Sequence, residues 1–133
     1  MKILLLSHNK EIETFAKLAA STKGHSTVSY SAKAYDSNEF AKHLDEHLPN
    51  RVLMDINYGF PGKEVSTPFL DAAKLMRQRG YRLESSLLGI TGHEPFAQEI
   101  ETEHTLRVAV KGKGTLDIIK FMPFLSFNIS IFD

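Results

Sequence analysis

Apolar and polar residues along this chain alternate between two periods, and the order of the alternation predicts its architecture. Ile3 to Leu6 is apolar at every position, the pattern of a strand covered on both faces in a parallel sheet. Ile12, Phe15, Ala16 and Ala19 then recur at helical spacing, and Gly24 stands beyond the expected helix end. Ser26 to Tyr30, "STVSY", alternates as a more exposed edge strand does. Phe40, Ala41, Leu44 and Leu48 form the inward stripe of a second helix, opened by Asp36 or Ser37 and stopped before Pro49. Val52 to Met54 predicts a third strand leading into Asp55, followed by the turn-rich "NYGFPGKEVS". Thr67 and Pro68 are expected to cap and begin a third helix that turns Phe69, Ala72, Ala73 and Met76 inward and stops at Gly80. Ser86 to Thr91 reads as the fourth strand, Pro95 to about Glu103 as a short fourth helix, and Leu106 to Val110 as the fifth strand, closed by Lys111. A last helix is expected from near Thr115 through Leu116, Ile119 and Phe121 or Met122, with Pro123 as its limit.

Five strands alternating with five helices predict a three-layer α/β sandwich, because right-handed crossovers place helices on both faces of the sheet. In open sheets of this kind the working groups stand just past the carboxyl ends of the strands. Here they are Ser7, His8 and Asn9 after the first strand, Asp55 and Asn57 after the third, Thr91 after the fourth and Lys111 after the fifth. A carboxylate, a hydroxyl and an ammonium converging from three strand ends suit an aspartyl-phosphate switch. Asp55 is then the nucleophile, Thr91 hydrogen-bonds the new phosphoryl oxygens and Lys111 neutralises them. Each also has a plain structural reading, since Asp is common in turns, Thr ends many strands and Lys is a frequent surface residue.

Length and composition narrow the classes. At 133 residues and 42% hydrophobic content the chain suits one domain, residues 1–133, around one sizeable core. Sixteen basic and sixteen acidic side chains balance without a block of either sign, which gives no field for nucleic acid or a membrane surface. There is no cysteine, so disulfide and thiol chemistry are excluded. "MKILLLSHNK" is too briefly apolar for a signal-peptide core or a membrane span, and a soluble, cytoplasmic protein is expected.

The segments "ILLLSHN", "VLMDIN", "LLGITG" and "VAVKG" resemble, in order and with suitable spacing, the signature segments of response-regulator receiver domains, and the resemblance covers essentially the whole chain. It implies a flavodoxin-like, five-stranded parallel sheet of order 2-1-3-4-5. It puts Asp55 at the phosphoacceptor position, Thr91 at the switch hydroxyl and Lys111 at the family's lysine. It also implies a Mg²⁺ site using Asp55 and the backbone carbonyl of Asn57. The chain departs from the family where two adjacent acidic residues normally complete that site, because Ser7 and His8 stand there. Magnesium prefers hard, charged oxygen ligands and imidazole suits softer metals, so Mg²⁺ binding is expected to be weak or absent. Phosphorylation of Asp55 is then slow or lost, since phosphoryl transfer depends on a cation bridging the developing oxygens. A direct Lys111 to Asp55 ion pair is expected instead. Val108 replaces the Tyr or Phe that many receivers carry three positions before the lysine, and Gly112 replaces the following proline. Asp55 and Thr91 lie 36 positions apart, several more than in a common receiver, and the surplus falls in "YGFPGKEVSTP".

The function implied is that of an atypical, stand-alone response-regulator receiver. It acts in two-component signal transduction by protein-protein interaction, with a histidine kinase or an output protein as partner. It is expected to have no enzyme activity and no cofactor beyond weakly held Mg²⁺. One alternative is a working phosphoacceptor, phosphorylated on Asp55 by a histidine kinase. A more distant one, a flavodoxin-like or nucleotide-binding protein, is disfavoured because "SHNKEIE" has no glycine and no phosphate-cradling run. Three further features carry weaker readings. His43 and His47 have the spacing of a metal-chelating pair, against a solvated helix face. "KGKG", Lys111 to Gly114, suits an anion nest less well than a turn into the last helix. The apolar tail from about residue 123 to 133 is expected to pair with a second copy, as a homodimer, or with a partner, against the plainer reading of a last helix packed on the sheet.

Overall fold

The computed structural model describes residues 1–112, 120–121 and 124–125. Strands β1 (Lys2–Leu6), β2 (Ser26–Ser29), β3 (Arg51–Asp55), β4 (Leu87–Thr91) and β5 (Arg107–Val110) form one sheet in the order β2-β1-β3-β4-β5, every pair parallel. This is the expected order. Between the strands lie helices α1 (Lys10–Thr22), α2 (Ser37–His47), α3 (Thr67–Gln78), α4 (Leu83–Ser86) and α5 (Glu94–His104).

The unbroken apolar reading of the inner strands follows from burial on two sides at the two-residue period of a strand. Leu4, Leu6, Val52 and Met54 enter the core packed with residues of α2, α3 and α5, while Ile3, Leu5, Leu53, Leu88 and Ile90 enter the core on α1 and Phe121, Phe124 and Leu125. Asn9 is the N-cap of α1, its Oδ1 accepting the N–H groups of Glu11 (2.9 Å) and Ile12 (3.1 Å). With a cap this close to the end of β1, Ser7 and His8 have no slack and must face the sheet rim. Asp36 caps α2 in the same way through the Glu39 N–H.

Several local readings are corrected. Leu48 is not part of the buried stripe. It is the C-cap of α2, in a left-handed conformation at φ 47°, and 72% exposed. Its successor is Pro49, which disfavours the helical region for the residue before it, so the helix ends there. Phe15 is likewise partly exposed, although its ring stacks on Phe121 at 5.6 Å. Ser66, not Thr67, is the N-cap of α3, and Pro68 lies within the first turn. β2 stops at Ser29, and Ser86 belongs to α4 rather than to β4. Nothing in the sequence marked α4, since four residues are too few to show a period. Phe124 and Leu125 are helical and buried, although Pro123 was expected to end the helix. The Phe124 ring lies 5.4 Å from the Arg51 guanidinium. These two tail residues are therefore core rather than bare surface. The helix start near Thr115, Gly114 and the tail beyond Leu125, with the expected homodimer contact, lie outside the described residues.

The outer edge of β5 is closed by side chains. Glu101 accepts the Val108 N–H at 3.0 Å, and Lys120 pairs with Glu101 and donates to the Val108 carbonyl at 3.1 Å. Both edge-facing backbone groups of Val108 are thus occupied, which blocks strand addition at that residue. Among the described residues, no helix is long and apolar enough to cross a membrane.

Candidate functional site

The register of the sheet assembles the site. Asp55 pairs with Ile90, and Thr91 with Val110, so the ends of β3, β4 and β5 come out at one rim. Lys111 continues the ladder by donating its N–H to the Thr91 carbonyl at 2.8 Å. Asp55, Asn57, Thr91 and Lys111, with Asn9, Ile12, Ile90 and Gly92, line a cleft of about 150 Å³. The residues expected to act together therefore line one cleft.

Their interactions differ from those expected. Asp55 is 92% buried, with a relative exposure of 8%, and among the described residues it makes no ion pair. Lys111 acts on it only at a distance, as the last of the effects that favour its charge. The groups that hold Asp55 come from the stretch after β1. The Ser7 hydroxyl stands 3.2 Å from both carboxylate oxygens, and the His8 backbone N–H donates to Oδ2 at 2.6 Å. Ser7 Oγ also accepts the Asn9 N–H at 3.0 Å, which joins the carboxylate to the cap of α1. Where the family resemblance implies two acidic residues beside Asp55, the chain presents two hydrogen-bond donors.

His8 is a hydrogen-bond acceptor, not a metal ligand. Its ring lies flat on Tyr58, with centroids 4.6 Å apart and planes 3° from parallel, and Nε2 accepts the Gly59 N–H at 2.8 Å. Nε2 is therefore already engaged. The Asn57 carbonyl, the other ligand implied by the family resemblance, accepts the Phe60 N–H at 2.8 Å. The Asn57 side chain donates to the carbonyls of Phe60 (3.1 Å) and Lys63 (2.9 Å) and folds the long loop onto itself. Gly59 and Gly62 supply the positive φ angles that this loop requires, 95° and 79°. Glu64 of the same loop reaches within 3.2 Å of His93 Nδ1, at the N-cap of α5. Thr91 Oγ1 accepts the His93 N–H at 3.3 Å. The donor set does not fit Mg²⁺, which needs several free oxygen ligands in octahedral array. Among the described residues no cluster of three or more His, Cys, Asp or Glu is placed to hold a metal ion.

Burial is the largest influence on the Asp55 carboxyl and raises its pKa above the ordinary value; the His8 and Ser7 hydrogen bonds and the Lys111 charge offset this only in part. A carboxyl whose pKa is raised on folding binds more protons in the native state than in the unfolded chain, so stability falls as pH rises from the ordinary carboxylate range through the raised value. That deficit persists at neutral pH. Asp55→Asn keeps the shape and one acceptor oxygen while removing the charge. It is expected to raise stability at pH 7 and to flatten the pH dependence in that window. Urea titrations of both proteins at pH 4 to 8 check this, and an unchanged or lowered midpoint at pH 7 would contradict it.

The second histidine reading is also corrected. His43 is not a solvated side chain. It is buried, with 7% exposure, donates from Nδ1 to the Glu39 carbonyl at 2.9 Å, and packs 4.8 Å from Tyr30. The His47 ring lies tilted against it, with centroids 5.5 Å apart. This belongs to an aromatic group with Tyr30, Tyr35, Phe40 and Tyr58 that the sequence reading did not single out. The only signal was three tyrosines at strand and loop positions otherwise read as polar. The Tyr35 hydroxyl donates to Asp71 at 2.6 Å, and burial pushes its pKa well up.

Among known proteins, no family model matches this chain and no curated protein does. Solved structures do. A de novo designed Rossmann 2x3 fold protein aligns with 98% of this chain and 87% of its own at 13% identity and a TM-score of 0.54. A response regulator receiver protein from Burkholderia phymatum aligns with 89% of this chain and 86% of its own at 15% identity and a TM-score of 0.53. At these identities the likeness shows the fold, an α/β sheet of flavodoxin or Rossmann type, and the fold alone.

Proposed function

We propose that the protein is an atypical receiver-type signalling module that acts through protein-protein contacts, without enzyme activity and without a resident metal. One observation carries this reading: both oxygens of the Asp55 carboxylate are held by Ser7 and His8, in the place where the family resemblance calls for two acidic metal ligands. A carboxylate already bound by two donors, with no second carboxylate beside it, has little to offer a strongly hydrated cation. Without the cation the charge developing on a transferred phosphoryl group has only Lys111 and Thr91 to meet it. The partner in this reading is a histidine kinase or an output protein that recognises the folded domain.

A second reading, a working phosphoacceptor, draws support from the shared cleft of Asp55, Thr91 and Lys111. One experiment separates the two. The protein is incubated with acetyl phosphate, or with beryllofluoride, in millimolar Mg²⁺, and examined by intact mass and by amide chemical shifts. The expected result is no added mass and no shift change at Asp55, Thr91 and Lys111. A Mg²⁺-dependent gain of mass that disappears in Asp55→Asn would establish the second reading instead.

A further inference from the structure

We propose that the state of the Asp55 carboxylate is transmitted, through His8 and Tyr58, to the loop between β2 and α2 at residues 30–36. The inference goes beyond the proposed function: it concerns how the buried Asp55 carboxylate is coupled to the rest of the domain, and its test requires no phosphoryl donor and no metal.

The argument is a sequence of short contacts, each of which limits the freedom of the next. The His8 N–H donates to Asp55 Oδ2 at 2.6 Å, and a hydrogen bond to an ionised acceptor is about twice as strong as a neutral one. Removing or covering that charge weakens the bond that fixes residue 8. The His8 ring cannot relax independently, because it is stacked on Tyr58 and holds the Gly59 N–H. Nor is segment 58–59 independent of what lies behind it. A Cβ at Gly59 would stand only 3.1 Å from the Tyr35 backbone nitrogen, so the two backbones pass too close to admit a side chain between them. The buried Tyr58 side chain donates its hydroxyl to the Ala32 carbonyl at 2.6 Å and meets the Tyr30 ring edge-on at 5.6 Å. Close-packed groups pass on displacements of a few tenths of an ångström rather than absorbing them. The far edge of the sheet offers no comparable route among the described residues: Val108 stands where a receiver carries a mobile ring, and its backbone is fastened by Glu101 and Lys120. The geometry thus directs a change at Asp55 toward the β2 side of the domain.

The coupling is read by hydrogen exchange at the Asp36 amide, which donates to the Tyr30 hydroxyl at 3.3 Å. In Asp55→Ala this amide is expected to exchange about threefold faster or more. In a Tyr58→Phe background, which removes the bond to Ala32, Asp55→Ala is expected to add nothing further. The isosteric Asp55→Asn serves if the alanine variant fails to fold: its amide shift changes should extend to residues 33–36. An unchanged Asp36 rate, effects of the two substitutions that simply multiply, or shift changes confined to residues 7–9 and 55–57 would each overturn the proposal. Since no arm uses phosphate, a negative result here leaves the phosphorylation test standing, and the reverse also holds.

Discussion

The double variant Ser7→Asp/His8→Asp is expected to bind Mg²⁺ at least about tenfold more tightly than the unmodified protein. Two like charges placed beside Asp55 recreate the charge density that a divalent cation requires, and a unit charge pair near 4 Å is worth about 4 kcal/mol at an effective dielectric constant of 20. The gain is reduced by what the substitutions remove, namely the Ser7 hydroxyl from Asp55 and the His8 ring from Tyr58 and Gly59. Without metal the variant should be less stable than the parent, because three carboxylates then share a rim where Asp55 is already buried. Mg²⁺ should restore it, by about 1.4 kcal/mol when the cation stands at ten times its dissociation constant. Thermal melts across a Mg²⁺ series check this, with Asp55→Asn in the same background as the control that should lose the effect. If the variant melts at the same temperature with and without Mg²⁺, the rim described here is not where a receiver's cation would sit.

The second large effect lies in the core beneath the site. Gly89, in the middle of β4, has no room for a side chain: a Cβ there would meet Phe69 Cζ at 2.7 Å, Phe69 Cε1 at 2.9 Å and Ile56 Cγ1 at 3.0 Å. The Phe69 ring is wholly buried at the start of α3, and Ile56 is equally enclosed, so neither can retreat. Gly89→Ala is therefore expected to cost about 1–3 kcal/mol by overpacking, although alanine suits a strand interior better than glycine. Phe69→Ala alone should cost about 3–5 kcal/mol through the cavity it leaves. Combined, the two changes partly compensate, because the added methyl occupies space that the ring vacated. The double variant should then be less destabilised than the sum by about 1 kcal/mol or more, as urea denaturation midpoints will show. Strict additivity would mean that the ring does not rest on Gly89.

These two cases also mark how far the sequence was legible. Phe69 was expected inside from its helical spacing, and it is; that its ring replaces the side chain missing from Gly89 is a contact between segments twenty positions apart, which no local pattern encodes. Leu48 had the right spacing for the core, but the proline after it ended the helix and turned it to solvent. His43 was read from its spacing to His47 alone, and packing against Tyr30 decided its fate instead. The predicted ion pair between Lys111 and Asp55 failed for a related reason. It was inferred from charge, whereas the donors nearest to the carboxylate are a hydroxyl and a backbone N–H, and a backbone group has no letter in a sequence.

The sequence by itself determined the alternation of strands and helices, the two-sided burial of the sheet and the gathering of Asp55, Thr91 and Lys111 at one rim. These follow from hydrophobic periodicity and from the position of a residue at a strand end, both of which are local. Only the tertiary structure decided which atoms satisfy Asp55, that His8 accepts a hydrogen bond over Tyr58, and that Glu101 and Lys120 close the β5 edge. Hydrogen-bond and packing partners distant in the chain are selected by distances of a few tenths of an ångström, and those exist only once the sheet register has been set.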